Sequence, residues 1–134
     1  MNKSKFLHID TKNSEEKDEN NQTNIQFLND SIKGGKNVFL LIYMEGCGPC
    51  NATRPEWKKL ENVLKDDILN KNILIVDMDK DILEKVSNIG SSPKGFPTIR
   101  YISNKDVEDF EDSELSDEDK NRNIDSFVKW INLK

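Results

Sequence analysis

The chain has 134 residues, 34% hydrophobic and 34% charged, which suits a single domain with a core of ordinary size. Its 20 Lys and Arg stand against 25 Asp and Glu, and the resulting net charge of −5 excludes the basic field that nucleic-acid binding requires. No apolar run approaches membrane-spanning length, and Phe6-Leu7-His8-Ile9, behind the basic Lys3 and Lys5, is too short for a signal segment. Neither nucleic acid nor membrane is an expected partner.

Phe6 to Ile9 reads as a short strand, and Thr11 to Asn24, almost wholly Asn, Glu, Lys, Asp and Ser, as a solvated linker. Residues 1–24 are thus a terminal strand and polar linker, and 25–134 a folded domain. Thr23 is placed to cap a helix in which Ile25, Leu28 and Ile32 recur at helical spacing, with Phe27 beside them and Gly34-Gly35 as the stop. Val38 to Tyr43 is a continuous apolar run of strand length, the pattern of a central strand covered on both faces. Cys47-Gly48-Pro49-Cys50 follows it.

Trp57, Leu60, Val63, Leu64 and Ile68 then mark one face of a long helix that Pro55 should kink, closed by Asn70-Lys71-Asn72. Ile73 to Val76 is a second buried strand, and Ile82, Leu83, Val86 and Ile89 predict a shorter helix ending near Gly90. Two apolar strands joined by a helix imply a parallel pair, with the Cys-Gly-Pro-Cys turn at the carboxyl end of the first. Ser91 to Gly95 is a loop, Thr98 to Ile102 a strand, and Asp106 to Phe110 its hairpin partner. Glu111 to Lys120 carries the carboxylates of Glu111, Asp112, Glu114, Asp117, Glu118 and Asp119 and reads as a mobile loop. Ile124, Phe127, Val128 and Ile131, with Trp130 beside them, form the stripe of a last helix.

Cys47 and Cys50 are the only cysteines. At the first turn of a helix entered from a buried strand, unpaired amides and the helix dipole favour a thiolate, and Pro49 costs no hydrogen bond there. The pair is therefore read as a dithiol redox site. A structural disulfide is the plainest alternative and would be poorly maintained in the reducing, cytoplasmic compartment this composition fits. Half a zinc site is another, but zinc takes four ligands and His8 is the one further candidate, so no metal is expected. No bound cofactor is expected either.

With the Cys-Gly-Pro-Cys turn after a buried strand, Pro55 five residues beyond Cys50, and Gly95-Phe96-Pro97-Thr98 before another strand, the chain resembles the thioredoxin superfamily from about Ile25 onward. The resemblance implies an α/β fold, a central mixed sheet flanked by helices, and Pro97 as a cis proline packed against the dithiol. It implies Cys47 as the attacking thiol and Cys50 as the resolving one, cycling through a Cys47–Cys50 disulfide, with Phe96 and Pro97 lining the substrate site. Arg54-Pro55-Glu56-Trp57, the run Gly95 to Tyr101, and Arg122 five residues before Phe127 look closer to the domains of protein disulfide isomerases, whereas Gly48-Pro49 is thioredoxin's dipeptide. Tyr43 to Trp57 resembles thioredoxin-domain proteins of giant DNA viruses, which would make the virion an alternative location.

Three positions depart from the family pattern. Gly46 replaces the tryptophan before the first cysteine, Leu41 the buried acid six residues before it, and Ile75 that acid's lysine partner. Without the acid, Cys50 must lose its proton to water, to substrate, or with electrostatic help from Arg122. Glu45 would oppose and Lys94 favour a thiolate if close to Cys47. Trp57 and Trp130 are read as packing aromatics, and the acidic run from Asp106 to Asp119 as a solvated segment able to steer basic partners. The expected function is disulfide exchange with protein substrates, recycled by a redox partner. A thioredoxin-fold binding module with a silent dithiol is the alternative.

Overall fold

The computed structural model describes residues 4–10, 15–64, 66, 71–104 and 106–134, with side chains in the first helix described from residue 22 onward. Five strands, β1 Lys5–Ile9, β2 Val38–Tyr43, β3 Leu74–Asp79, β4 Thr98–Ser103 and β5 Asp106–Asp109, form one sheet in the order β1-β3-β2-β4-β5. β1 and β2 run parallel to β3, whereas β4 is antiparallel to β2 and β5 to β4. The sheet is mixed, as expected.

β2 is buried at every position because its alternating side chains feed two cores. Val38, Leu40 and Ile42 pack with Ile25, Leu28 and Ile32 of α1 (Glu15–Lys33). Phe39 and Leu41 pack with Trp57 of α2 (Gly48–Lys58), Leu60 of α3 (Leu60–Val63), and Phe127, Trp130 and Ile131 of α4 (Ile124–Asn132). Trp57 meets Phe127 edge to face at 5.0 Å, as Phe39 meets Trp130 at 5.2 Å. Both tryptophans are core residues, 2% and 0% exposed.

Several local expectations are corrected. The polar tract is not a linker from Glu15 onward, because α1 starts there and Thr23 lies inside it rather than at its cap. Once Ile25, Leu28 and Ile32 anchor the helix, extending it through residues that contain no Gly or Pro costs little. Thr11 to Ser14 lie outside the described residues, as do Ile68 and Asn70. The long helix after Cys50 is divided at Lys59 into α2 and α3. β3 runs on past Val76 to Asp79, enclosing Asp77 and Asp79 at 3% and 2% exposure. The helix predicted after it is a 3-10 turn, Lys80–Lys85, with Ile89 buried from an irregular segment. The acidic segment is two short 3-10 turns, Phe110–Asp112 and Asp117–Asp119, pinned by burial of Phe110 and by ion pairs from Arg122 to Glu111 and Lys129 to Asp119.

The carboxylates of β3 are satisfied locally. Asp79 accepts from the Asp81 amide at 2.9 Å, and Asp77 pairs with Nδ1 of His8 on β1, whose Nε2 meets Glu61 of α3. His8 thus ties the edge strand to β3 and α3. The Asp77 hydrogen bond, opposed by partial burial and reinforced by Glu61, holds His8 above its ordinary pKa of 6.5. The stability contributed by charged His8 is therefore complete below the unfolded value and is lost as pH rises through the folded one. Since His8 is half exposed, solvent screens much of the effect. His8→Gln should lower the melting temperature by about 2–4 °C near pH 5.5 and by less near pH 8.5, read by circular dichroism. An equal loss at both pH values would contradict the ion-pair account.

Candidate functional site

β2 ends at Tyr43, and four residues later Cys47 is the N-cap of α2 with extended backbone. Gly46, with φ of 76°, makes the left-handed turn between them, and no atom lies within 4 Å of where its Cβ would sit. Pro49 occupies the first turn, where a missing amide is harmless. The Cys50 amide donates to Cys47 Sγ at 3.2 Å, so the sulfur sits where the helix presents its unpaired donors. Cys47 Sγ also lies 3.6 Å from the Phe96 carbonyl oxygen, to which its thiol donates.

Both cysteines are free thiols, Cys47 at 8% and Cys50 at 0% exposure, the latter beneath the former. They pack with Tyr43, Met44 and Phe96. Burial, then the Cys47 hydrogen bond, pushes the Cys50 thiol up to about 11, while a Met44 backbone contact and the charge of Arg122 act in the opposite direction. Leu41 and Ile75 fill their positions as apolar core, packed with Trp57. A buried acid and its lysine partner are thus absent from both positions.

The remaining candidates are distributed around this centre. The Phe96–Pro97 peptide is cis and Pro97 is buried. A cavity of about 620 Å³ beside it is lined by Lys94, Phe96, Pro97, Arg100, Glu111 and Arg122, among others. Lys94 is exposed on its rim, and Arg122 reaches Glu111 at 3.2 Å. Arg122 stands immediately before Asn123, whose Oδ1 accepts the Ser126 amide, and Glu56 of α2 accepts the Ile124 amide, fixing the start of α4 to α2. Glu45 turns to Arg54 at 3.5 Å. Among the described residues no cluster of His, Cys, Asp or Glu is arranged to hold a metal.

A family model described as Thioredoxin matches residues 17–130. The chain belongs to the thioredoxin family. Protein disulfide isomerase-like 2-1 of Oryza sativa subsp. japonica is 32% identical over 105 residues, which cover 74% of this chain and 24% of that protein. Protein disulfide-isomerase of Drosophila melanogaster is 32% identical over 101 residues, 75% of this chain and 18% of the relative. The chain thus spans a quarter or less of the length of these curated relatives. Among solved structures, the zinc-bound form of human ERp44 superposes with a TM-score of 0.62 at 14% identity, covering 96% of this chain and 31% of that one, a likeness of fold alone. The mixed five-stranded sheet flanked by helices is the thioredoxin fold.

The sequence assigns no role at the thiols to Tyr43 or to Arg54, which enters only within an isomerase-like run. Tyr43 reads there only as a strand end, yet it is 1% exposed and lies in the cysteine cluster. Arg54 stacks its guanidinium 3.7 Å from the Tyr43 ring centroid. Its signal was helical spacing, since position 54 is four beyond Cys50 and seven beyond Cys47, one face of α2.

The unequal burial of the sulfurs and the raised Cys50 pKa predict unequal alkylation. At about pH 7.5 iodoacetamide should modify Cys47 at least about tenfold faster than Cys50, as mapped by mass spectrometry, because each pH unit below a thiol's pKa costs tenfold in thiolate. Arg122→Met should slow Cys50 further in unfolded-corrected rates. Equal labelling of both cysteines, or faster Cys50 labelling in the variant, would contradict this geometry.

Proposed function

We propose that this protein is a thiol–disulfide oxidoreductase that exchanges disulfides with protein substrates, Cys47 attacking and Cys50 resolving. The observation that carries the reading is the Cys47 sulfur at the amino end of α2, accepting the Cys50 amide above a second, fully buried thiol. Relatives named as protein disulfide isomerases support it.

The Cys47 thiolate attacks one sulfur of a substrate disulfide, forming a mixed disulfide and expelling the other substrate sulfur as a thiolate. Cys50 then gives up its proton and attacks Cys47 Sγ. The Cys47–Cys50 bridge closes, the second substrate thiol leaves, and two electrons have passed from the protein dithiol to the substrate. Run in reverse, the same steps oxidise a substrate dithiol. Phe96, whose carbonyl accepts from the Cys47 thiol, and Pro97 after it are the backbone against which the substrate segment lies. Lys94 and Arg122, on the cavity next to it, modulate the charge met by the incoming chain. The second step is the slow one, since burial holds Cys50 protonated and Leu41 and Ile75 supply no relay.

The same two features favour the alternative, a binding module with a silent dithiol. A trapping experiment separates them. Cys50→Ser should accumulate mixed disulfides through Cys47 when incubated with a disulfide-bonded protein, visible on non-reducing gels and lost on adding reductant, whereas Cys47→Ser should accumulate none. Absence of adducts in both variants would leave the binding module.

A further inference from the structure

Arg100 of β4 is 2% exposed, the one charged side chain so deeply buried among the described residues apart from the Asp77 and Asp79 carboxylates. A guanidinium in such a place must have its donors satisfied. Nε donates to Asp109 Oδ1 at 2.7 Å, across the β4–β5 pairing, while Nη1 donates to the carbonyl oxygens of Ile89 and Ser91, each at 2.8 Å. The two carbonyls flank Gly90, whose φ is 91° and where a Cβ would crowd the Val107 side chain of β5, 2.9 Å away. Ile89 to Ser91 is therefore held by Arg100 and lies against Val107 of β5.

This clamp stands at the entrance to the segment that carries Phe96 and Pro97. Between Ser91 and Thr98 no residue is in a helix or strand, and the other end is closed by Thr98 Oγ1, which donates to the Gly95 carbonyl at 2.7 Å. The Phe96 carbonyl in turn accepts from the Cys47 thiol. Without the guanidinium, two carbonyls lose their donor and the incoming end of the loop loses its anchor. The thiols lose nothing directly, because Arg100 touches neither.

We infer that Arg100 is a positioning residue for substrate binding: by clamping Ile89 and Ser91 it fixes the Phe96–Pro97 segment against which a polypeptide substrate lies. The inference rests on the exchange function proposed above. Only a planar fork reaches both carbonyls and Asp109 together, so lysine, a point charge, is an incomplete replacement.

The test compares single-turnover reduction of two disulfides by the reduced protein, a disulfide-bonded peptide long enough to cross Phe96–Pro97 and the small hydroxyethyl disulfide. Arg100→Gln should raise the half-saturating peptide concentration about tenfold, the order expected on losing hydrogen bonds to a charged group, with the limiting rate little changed. Its rate with hydroxyethyl disulfide should stay within about twofold of wild type on the same grounds, and Arg100→Lys should recover only part of the peptide affinity. Amide exchange of residues 89–97 should quicken in Arg100→Gln while that of β2 does not. Should that variant fail to fold, Asp109→Asn, which loosens the guanidinium from its other side, should shift the peptide value in the same direction. Equal losses on both disulfides, or unchanged peptide half-saturation beside normal wild-type exchange, overturn this inference alone. Failure of the wild type to reduce either disulfide overturns the exchange function and this inference with it.

Discussion

The hydrogen bond from the Cys50 amide to the Cys47 sulfur is the contact on which the reactive end of this molecule depends. It exists only because β2 stops at Tyr43 and α2 starts at Gly48, leaving Cys47 as the cap of a helix whose first amides have no internal partner. β2 holds that position because both of its faces are buried, one under α1 and the other under α2 and α4. The apolar run Val38 to Tyr43 is thus as much a part of the site as the cysteines. A strand with one solvated face would tolerate a register shift that this one does not.

The same constraint explains what was legible in the sequence. The buried strands, the paired thiols, the aromatic stripe of α4 and the two strands of the hairpin are strong periodic or compositional signals, and the structure holds each of them, β3 running beyond its expected end at Val76. The errors lie where tertiary contacts override local composition. Residues 15–24 look like a linker but extend a helix anchored by Ile25, Leu28 and Ile32. Asp77 and Asp79 look like the end of a strand but are carried inward by pairing on both sides of β3, with His8 and the Asp81 amide as partners. Those partners are distant in sequence or set by a turn, so no local pattern announces them. At the site, Leu41 and Ile75 were legible as missing charges, whereas the stacking of Arg54 on Tyr43 and the reach of Arg100 to Ile89 and Ser91 are facts of geometry.

Charge around the dithiol is arranged unevenly. Leu41 and Ile75 are apolar core where the family pattern has an acid and its lysine partner, and burial dominates the titration of the inner thiol. Arg122, held at the start of α4 by Glu111, opposes that effect from the rim of the cavity, and Glu45 is occupied by Arg54. The outer thiol meets a helix end and a backbone carbonyl. This division suits a pair in which one sulfur attacks readily and the other waits until a mixed disulfide has formed.

The most direct test of dithiol exchange is equilibration of the protein against glutathione buffers of graded ratio, with acid quenching and trapping of the free thiols. Cys47 and Cys50 should oxidise together in one two-electron transition, at a potential between the roughly −270 mV of thioredoxin and the roughly −180 mV of protein disulfide isomerase. Thiols that stay reduced across the whole series, or that collect separate glutathione adducts without forming the Cys47–Cys50 bridge, would contradict the account.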